Sequence, residues 1–210
     1  MNESMNRSGV TPAIHSRRNA LKGAGAALAG LALTAANPLA AGRAFANESL
    51  QTLTDIDILN FALTLEHLEA TFYEQVVAGG QLSGDVLRYL SVIRDHEIAH
   101  VNEITRVINA LGGTPVQRQD AYNFGDLSNQ AAILQVAQNL EEVGVGAYTG
   151  AARLFTDKTL LAAAAGIEQV EARHTGVIRY LRNASVTSSS YGPIYTTDEV
   201  NALVAPILGR

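Results

Sequence analysis

Two short stretches of the chain, Glu97-x-x-His100 and Glu171-x-x-His174, pair a carboxylate with an imidazole three residues apart. On a helix that spacing sets the two side chains on one face, about 60° apart around the axis, so both can reach one inward point. Each pair follows another glutamate at hairpin distance, Glu66 before the first and Glu141 before the second. Glu66 and Glu141 in turn precede a tyrosine, Tyr73 and Tyr148, by seven residues. The offset between copies is 75 residues for the Glu and Tyr pairs and 74 for the Glu-x-x-His pairs. The chain therefore carries one unit twice, as a pseudo-twofold bundle with a central site would. Seven residues are nearly two helical turns, which predicts each Tyr stacked above its own Glu. Glu69 and Glu142 lie close to Glu66 and Glu141 and compete with them; the seven-residue relation to tyrosine favours Glu66 and Glu141.

Oxygen and nitrogen donors of this kind suit iron or manganese and disfavour copper bound through soft ligands. The chain has no cysteine, which excludes disulfide scaffolds, iron–sulfur clusters, thiolate zinc and cysteine nucleophiles. Residues 1–46 hold five of the 15 bases and one of the 20 acids, so the remainder carries 10 bases against 19 acids. A domain that acidic lacks the positive surface needed to neutralise phosphates, which argues against nucleic acid and anionic membranes as partners. Aromatic residues are few and tryptophan is absent, a balance that suits helix packing better than a β-sandwich.

The elements that must hold these residues are helices. The first opens with Thr54 and Asp55 as capping residues and runs to Gly79-Gly80, and the second follows Ser83 and stops at Leu111-Gly112-Gly113. Residues 114–128 read as a loop. A third helix runs from about Asn129 to Phe155, and a fourth from about Lys158 to Asn183. Beyond a tail rich in Ser and Tyr, Thr197-Asp198-Glu199 caps a short helix ending before Pro206. A loop of about 15 residues reaches roughly 50 Å when extended, enough to cross a bundle end to end. Two hairpins joined by one long crossover between helices 2 and 3 form an all-α four-helix bundle over 47–183, with 184–210 as a C-terminal tail carrying the short helix.

The inward seams of these helices, read at spacings of three and four, place Glu66, Glu69, Glu97, His100, Glu141, Glu171 and His174 in the middle of apolar stripes. Burying an unpaired carboxylate costs several kcal/mol. A pair of divalent cations would compensate; a metal-free buried polar network is the alternative. His67 and His96 fall off the seams and read as solvated surface, as do Glu103, Arg106 and Arg179. Gly144, Gly146 and Gly150 are costly inside a helix. They read either as close helix packing or, with Ala137 and Ala164, as room for a small oxidant.

One Glu on the first helix of each hairpin and Glu-x-x-His on the second resembles the di-iron carboxylate site of the ferritin-like superfamily. Within it, Leu65-Glu66-His67-Leu68-Glu69-Ala70-Thr71-Phe72-Tyr73 and Val170-Glu171-Ala172-Arg173-His174 are most similar to the exported ferritin-like domain proteins related to plant desiccation-associated proteins. The resemblance implies Glu66 and Glu141 as single-helix carboxylates, Glu97 and Glu171 as bridging ones, and His100 and His174 as nitrogen ligands. It further implies two iron or manganese ions, with Tyr73, Tyr148, Glu69 and Glu142 around them. In some members a carboxylate just before Glu-x-x-His orients a histidine; here His96 and Val170 stand there. The implied activity is reduction of oxygen or peroxide, with Fe(II) oxidation or peroxide removal as the outcome. A stress-related helical bundle with a structural metal site is the alternative. A homo-oligomer is compatible with either.

Ser16-Arg17-Arg18-Asn19-Ala20-Leu21-Lys22, an uncharged stretch from Gly23 to Gly42 and a closing Ala44-Phe45-Ala46 form a secretory signal over 1–46. It resembles a twin-arginine signal, with Ala20 in the place of that pattern's Phe. Its glycines, Asn37 and Pro38 make it a poor membrane anchor. The resemblance implies export of a folded cargo by the twin-arginine machinery to the periplasm or beyond.

Overall fold

The protein is described here from a computed structural model covering residues 53–187 and 189–209. The signal segment at 1–46 lies outside the described residues. Five helices, and no strand among the described residues, follow in order: α1 Asp55–Ala78, α2 Gly84–Ala110, α3 Gln130–Ala151, α4 Lys158–Leu181 and α5 Thr197–Val204. The bundle of two hairpins expected from the seam pattern is therefore present.

Local chemistry sets the helix ends. Thr54 caps α1 in a capping box: its Oγ1 accepts from the Asp57 amide at 3.2 Å, and its own amide donates to Asp57 Oδ2 at 2.8 Å. Asp55 has a different task from the expected cap. Its carboxylate accepts from the Thr156 amide and hydroxyl, both at 2.8 Å, and from the Asp157 amide at 3.0 Å, tying the start of α1 to the α3–α4 turn. Ser83 precedes α2 without a side-chain cap. At the other end of α2, Gly112 takes φ +77° and the Gly113 amide reaches back to the Ile108 carbonyl at 2.9 Å, the αL ending that glycine permits. Asn129 caps α3 and Asp157 caps α4. The capping box of α5 is built on Thr196 and Glu199, one residue earlier than the expected start.

The crossover is laid along α1 rather than across open solvent. Asn60 donates to the Thr114 carbonyl at 3.1 Å and accepts from the Val116 amide at 2.8 Å. His67 Nε2 meets the Val116 carbonyl at 3.2 Å, and Glu74 pairs with Arg118 at 2.6 Å. Asn60, His67 and Glu74 are seven apart, so they form one stripe about 20 Å long on which the loop rests. His67 is thus a loop anchor, not the free surface residue its seam position suggests.

The chain end belongs to the fold. Val200 and Val204 of α5 are buried in the same apolar cluster as Phe72, Leu90, Ile133 and Ile178. The Asn123 amide donates to the Ile207 carbonyl at 2.9 Å, joining crossover and terminus. A second apolar cluster holds Ile58, Leu63, Ile104, Ile108, Tyr148 and Phe155. On α2 and α4 the Glu-x-x-His pairs fall between residues of the two clusters. No described helix is long and apolar enough to cross a membrane.

Candidate metal centre

Five glutamates are buried in the bundle: Glu66, Glu97, Glu141 and Glu171 at 0 % exposure, and Glu69 at 3 %. Burial on this scale without compensation is prohibitive for ionised carboxylates. The nearest cationic candidates are two imidazoles. His100 Nδ1 lies 3.2 Å from Glu66 Oε2, 3.1 Å from Glu97 Oε2 and 3.2 Å from Glu171 Oε1. His174 Nδ1 lies 2.9 Å from Glu97 Oε1, 3.2 Å from Glu141 Oε2 and 3.9 Å from Glu171 Oε2. Glu97 and Glu171 therefore each send one oxygen to either side, while Glu66 and Glu141 serve one side each.

These donors form two groups that can hold a metal ion, Glu66-Glu97-His100-Glu171 and Glu97-Glu141-Glu171-His174, with ligand atoms within 4.8 Å of one another in each. Five of their buried atoms make no aligned hydrogen bond: Glu97 Oε1, Glu141 Oε2, both oxygens of Glu171 and His174 Nδ1. Buried polar atoms are normally satisfied. Orphans that converge, and that belong to hard oxygen and imidazole donors, fit a pair of divalent cations.

The electrostatics without metal carry the same strain. Burial pushes the Glu66 carboxyl up to about 7 although the His100 contact pulls it down. Glu69 and Glu171 are held well above the usual carboxylate range by burial and by neighbouring carboxylates. Glu97 goes the other way, to about 2, because both imidazoles outweigh its burial. Burial alone would lower the histidines, but the surrounding carboxylates raise His100 to about 12 and His174 to about 10.

The tyrosines differ from expectation in an instructive way. Tyr73 donates to Glu141 Oε1 and Tyr148 to Glu66 Oε1, so each serves the glutamate of the other hairpin rather than its own. Seven residues of helix separate a Tyr from its own Glu by about 10 Å. Because α1 and α3 run antiparallel, Tyr73 sits level with Glu141 and Tyr148 with Glu66. Glu69 stays beside the cluster, its Oε1 near the backbone of Gly144. Glu142 does not join it. Its carboxylate pairs with Arg179 at 2.7 Å and accepts from Gln138 at 2.7 Å, so Arg179 is a half-buried partner and not a free surface charge.

The helix glycines do not leave the room expected beside the site. A Cβ at Gly144 would stand 3.2 Å from both Glu171 Oε2 and Glu69 Oε1, so this glycine makes space for carboxylates. Cβ atoms at Gly146 and Gly150 would meet the Tyr195 ring at 2.1 Å and the Tyr195 carbonyl oxygen at 1.8 Å. Their face is filled by the C-terminal segment, which also donates from the Tyr195 amide to the Gly146 carbonyl at 3.0 Å. Ala137 is fully buried. Ala164 borders open volume, a cavity of about 40 Å³ shared with Leu59, Ile104, Tyr148 and Phe155. The residue that the seam pattern missed is His96, whose Nδ1 lies 2.9 Å from His174 Nε2. Its only sequence signal is its place directly before Glu97.

The family model for the ferritin-like domain matches residues 54–184, which span all four bundle helices. The chain belongs to the ferritin-like domain family. Among solved structures, this ferritin-like chain resembles a conserved hypothetical protein of Mycobacterium tuberculosis at 16 % identity and a TM-score of 0.56, over 64 % of this chain and 94 % of that one. At that identity the likeness speaks for the fold alone. No curated protein matches the chain.

Proposed function

We propose that this ferritin-like protein holds two iron or manganese ions, with Glu97 and Glu171 bridging them, Glu66 and His100 completing one position and Glu141 and His174 the other. The observation that carries the reading is the split of both oxygens of Glu97 and of Glu171 between the two imidazoles. When bound, such a pair supplies two electrons at once, as reduction of oxygen to peroxide or of peroxide to water requires. The chain's own part is to orient and to keep water out. Tyr73 and Tyr148 each fix one oxygen of Glu141 and Glu66, and apolar residues close both ends of the cluster. The cavity beside Tyr148 and Ala164 has room on the order of a single small molecule. The proposed activity is therefore Fe(II) oxidation by oxygen or removal of peroxide.

The filled glycine face favours a second reading, in which the ions only brace a stress-related bundle. Elemental analysis of natively exported protein should give close to two ions per chain. Reduced, loaded protein mixed with oxygen or hydrogen peroxide should then consume oxidant within seconds and repeat the cycle when reductant is supplied. A loaded protein inert to both oxidants, whose melting temperature nonetheless falls on metal removal, supports the bracing role, since ions bound only by the native state stabilise by mass action.

Export by the twin-arginine route is part of the proposal and rests on Arg17 and Arg18. Replacing that pair with Lys-Lys should leave precursor in the cytoplasm. Normal export of the variant would remove the twin-arginine reading without touching the metal centre.

A further inference from the structure

The repeat that makes the ligands alike leaves their neighbours unlike. One residue before Glu97 stands His96, and one residue before Glu171 stands Val170. The His96 and His174 rings meet edge to edge, with centroids 5.2 Å apart and planes 15° from parallel, and the His96 Nδ1 to His174 Nε2 distance is 2.9 Å. Two ring nitrogens bond only when one donates and the other accepts. His174 Nδ1 is the nitrogen aimed at Glu97 and Glu141, and it lacks an aligned partner. A neutral imidazole offering Nδ1 as a ligand keeps its proton on Nε2, so His174 Nε2–H donates and His96 Nδ1 accepts. His100 presents Nδ1 to its carboxylates in the same way. Among the described residues no hydrogen bond reaches its outer nitrogen, and the counterpart of His96 is an aliphatic side chain.

We infer that His96 is a positioning residue that makes the two metal positions unequal, the one built on His174 filling first and more tightly than the one built on His100. The inference rests on the metal-centre reading above. Its physical basis is twofold. A ring held from outside keeps its orientation when the ion arrives, and a hydrogen bond accepted from the outer N–H raises the basicity of the ligating nitrogen. His96 is exposed on its outer side, so its substitution leaves the buried clusters alone.

The test is titration of the metal-free, otherwise intact chain with Mn(II), reading the free ion by electron paramagnetic resonance. The expected result is two steps, with the first about ten- to a hundredfold tighter. His96→Ala should weaken the first step by about that factor and leave the second in place. His96→Asn should restore most of the loss, because its amide oxygen also branches from Cγ and can accept where Nδ1 does. Val170→His should tighten the second step by giving His100 the missing acceptor, and it keeps the inference testable if His96→Ala melts early. His100→Ala should abolish the weak step and spare the tight one. Two equal steps in the unsubstituted chain, or a first step that His96→Ala does not move, would overturn the inference while leaving the metal centre intact. A chain that binds no Mn(II) would remove the metal-centre reading and the inference with it.

Discussion

The two hairpins agree at every position that faces the cluster from both sides and disagree immediately beside it. Glu66, Tyr73, Glu97 and His100 in α1–α2 are matched by Glu141, Tyr148, Glu171 and His174 in α3–α4, and the structure crosses the pairs so that each tyrosine serves the opposite hairpin. At the same offset, Glu69 is matched by Gly144, His96 by Val170 and Gln75 by Gly150. Two of these mismatches have a spatial cause. Gly144 vacates the volume that the Glu69 carboxylate approaches, and Gly150 lets the backbone of Tyr195 press on α3. The symmetric set is what a shared pair of ions would require, and the differences at Gly144 and Gly150 are what one extra carboxylate and one chain terminus impose.

The largest expected effect tests the symmetric part. Glu97→Ala or Glu171→Ala should each drop the metal content of purified protein from about two ions to well below one, because each carboxylate faces both groups of donors. Glu66→Ala and Glu141→Ala face one group each and should lose about one ion. Elemental analysis of the four variants decides it. Single-ion loss from the Glu97 variant would break the symmetry of the bridging pair.

The pH dependence comes next. In the metal-free protein His100 is raised to about 12 and His174 to about 10 from an ordinary 6.5, so both are protonated at neutral pH. A metal ion needs them neutral. Loading at neutral pH should therefore release at least two protons, one from each histidine and more from the raised Glu171 and Glu66 carboxyls, and the pair affinity should rise at least about a hundredfold per pH unit below about 10. The sign for stability is the reverse. A raised histidine stabilises the metal-free fold fully below 6.5 and loses that contribution as pH climbs toward the folded values, so the metal-free protein should melt earlier as pH is raised. Calorimetry in buffers of different ionisation enthalpy counts the protons; release of none would mean that the histidines are already neutral.

A smaller effect separates the faces of α1 and α3. Gly150→Ala should destabilise by about 1–3 kcal/mol, because the new Cβ meets the Tyr195 backbone and the C-terminal segment must shift. By the size scaling of melting, that is a fall of roughly 2–12 °C. Gln75→Ala, at the matching and exposed position of α1, should change the melting temperature little.

Much of this was legible in the sequence because helical periodicity and the repeat act locally. The inward seams named Glu66, Glu69, Glu97, His100, Glu141, Glu171 and His174 as buried, and the structure buries six of the seven almost completely and leaves His100 slightly open. What sequence could not supply was contact between distant segments. The swap of tyrosine partners depends on the antiparallel run of α1 against α3. The task of His67 depends on where the crossover lies, and the purpose of Gly146 and Gly150 depends on Tyr195, which is some 45 residues further along the chain. His96 was hidden for the same reason, since its partner His174 is 78 residues away. Glu142 and Arg179, each plausible alone, find one another across the α3–α4 hairpin.

The smallest expected effect bears on the residue that the repeat does not explain. Glu69 is buried beside the cluster, yet it appears in neither group of converging donors. Burial and the charges of Glu171, Glu141, Glu97 and Glu66 hold its carboxyl well above the usual range, which favours the neutral acid in the metal-free protein. Gln matches a neutral Glu in shape and in its carbonyl acceptor. Glu69→Gln should therefore keep about two ions and change their affinity by less than about tenfold, and it should leave the metal-free melting temperature close to that of the unsubstituted chain at neutral pH. The counterpart change is harsher in principle but mild by geometry: Gly144→Ala must shift two carboxylate tips by a few tenths of an ångström, and carboxylate tips can move. If Glu69→Gln instead costs one ion, the fifth carboxylate is a ligand. The asymmetry between hairpins would then extend from the packing around the centre into the coordination itself, and Glu69 would have to displace Glu66 or share its position.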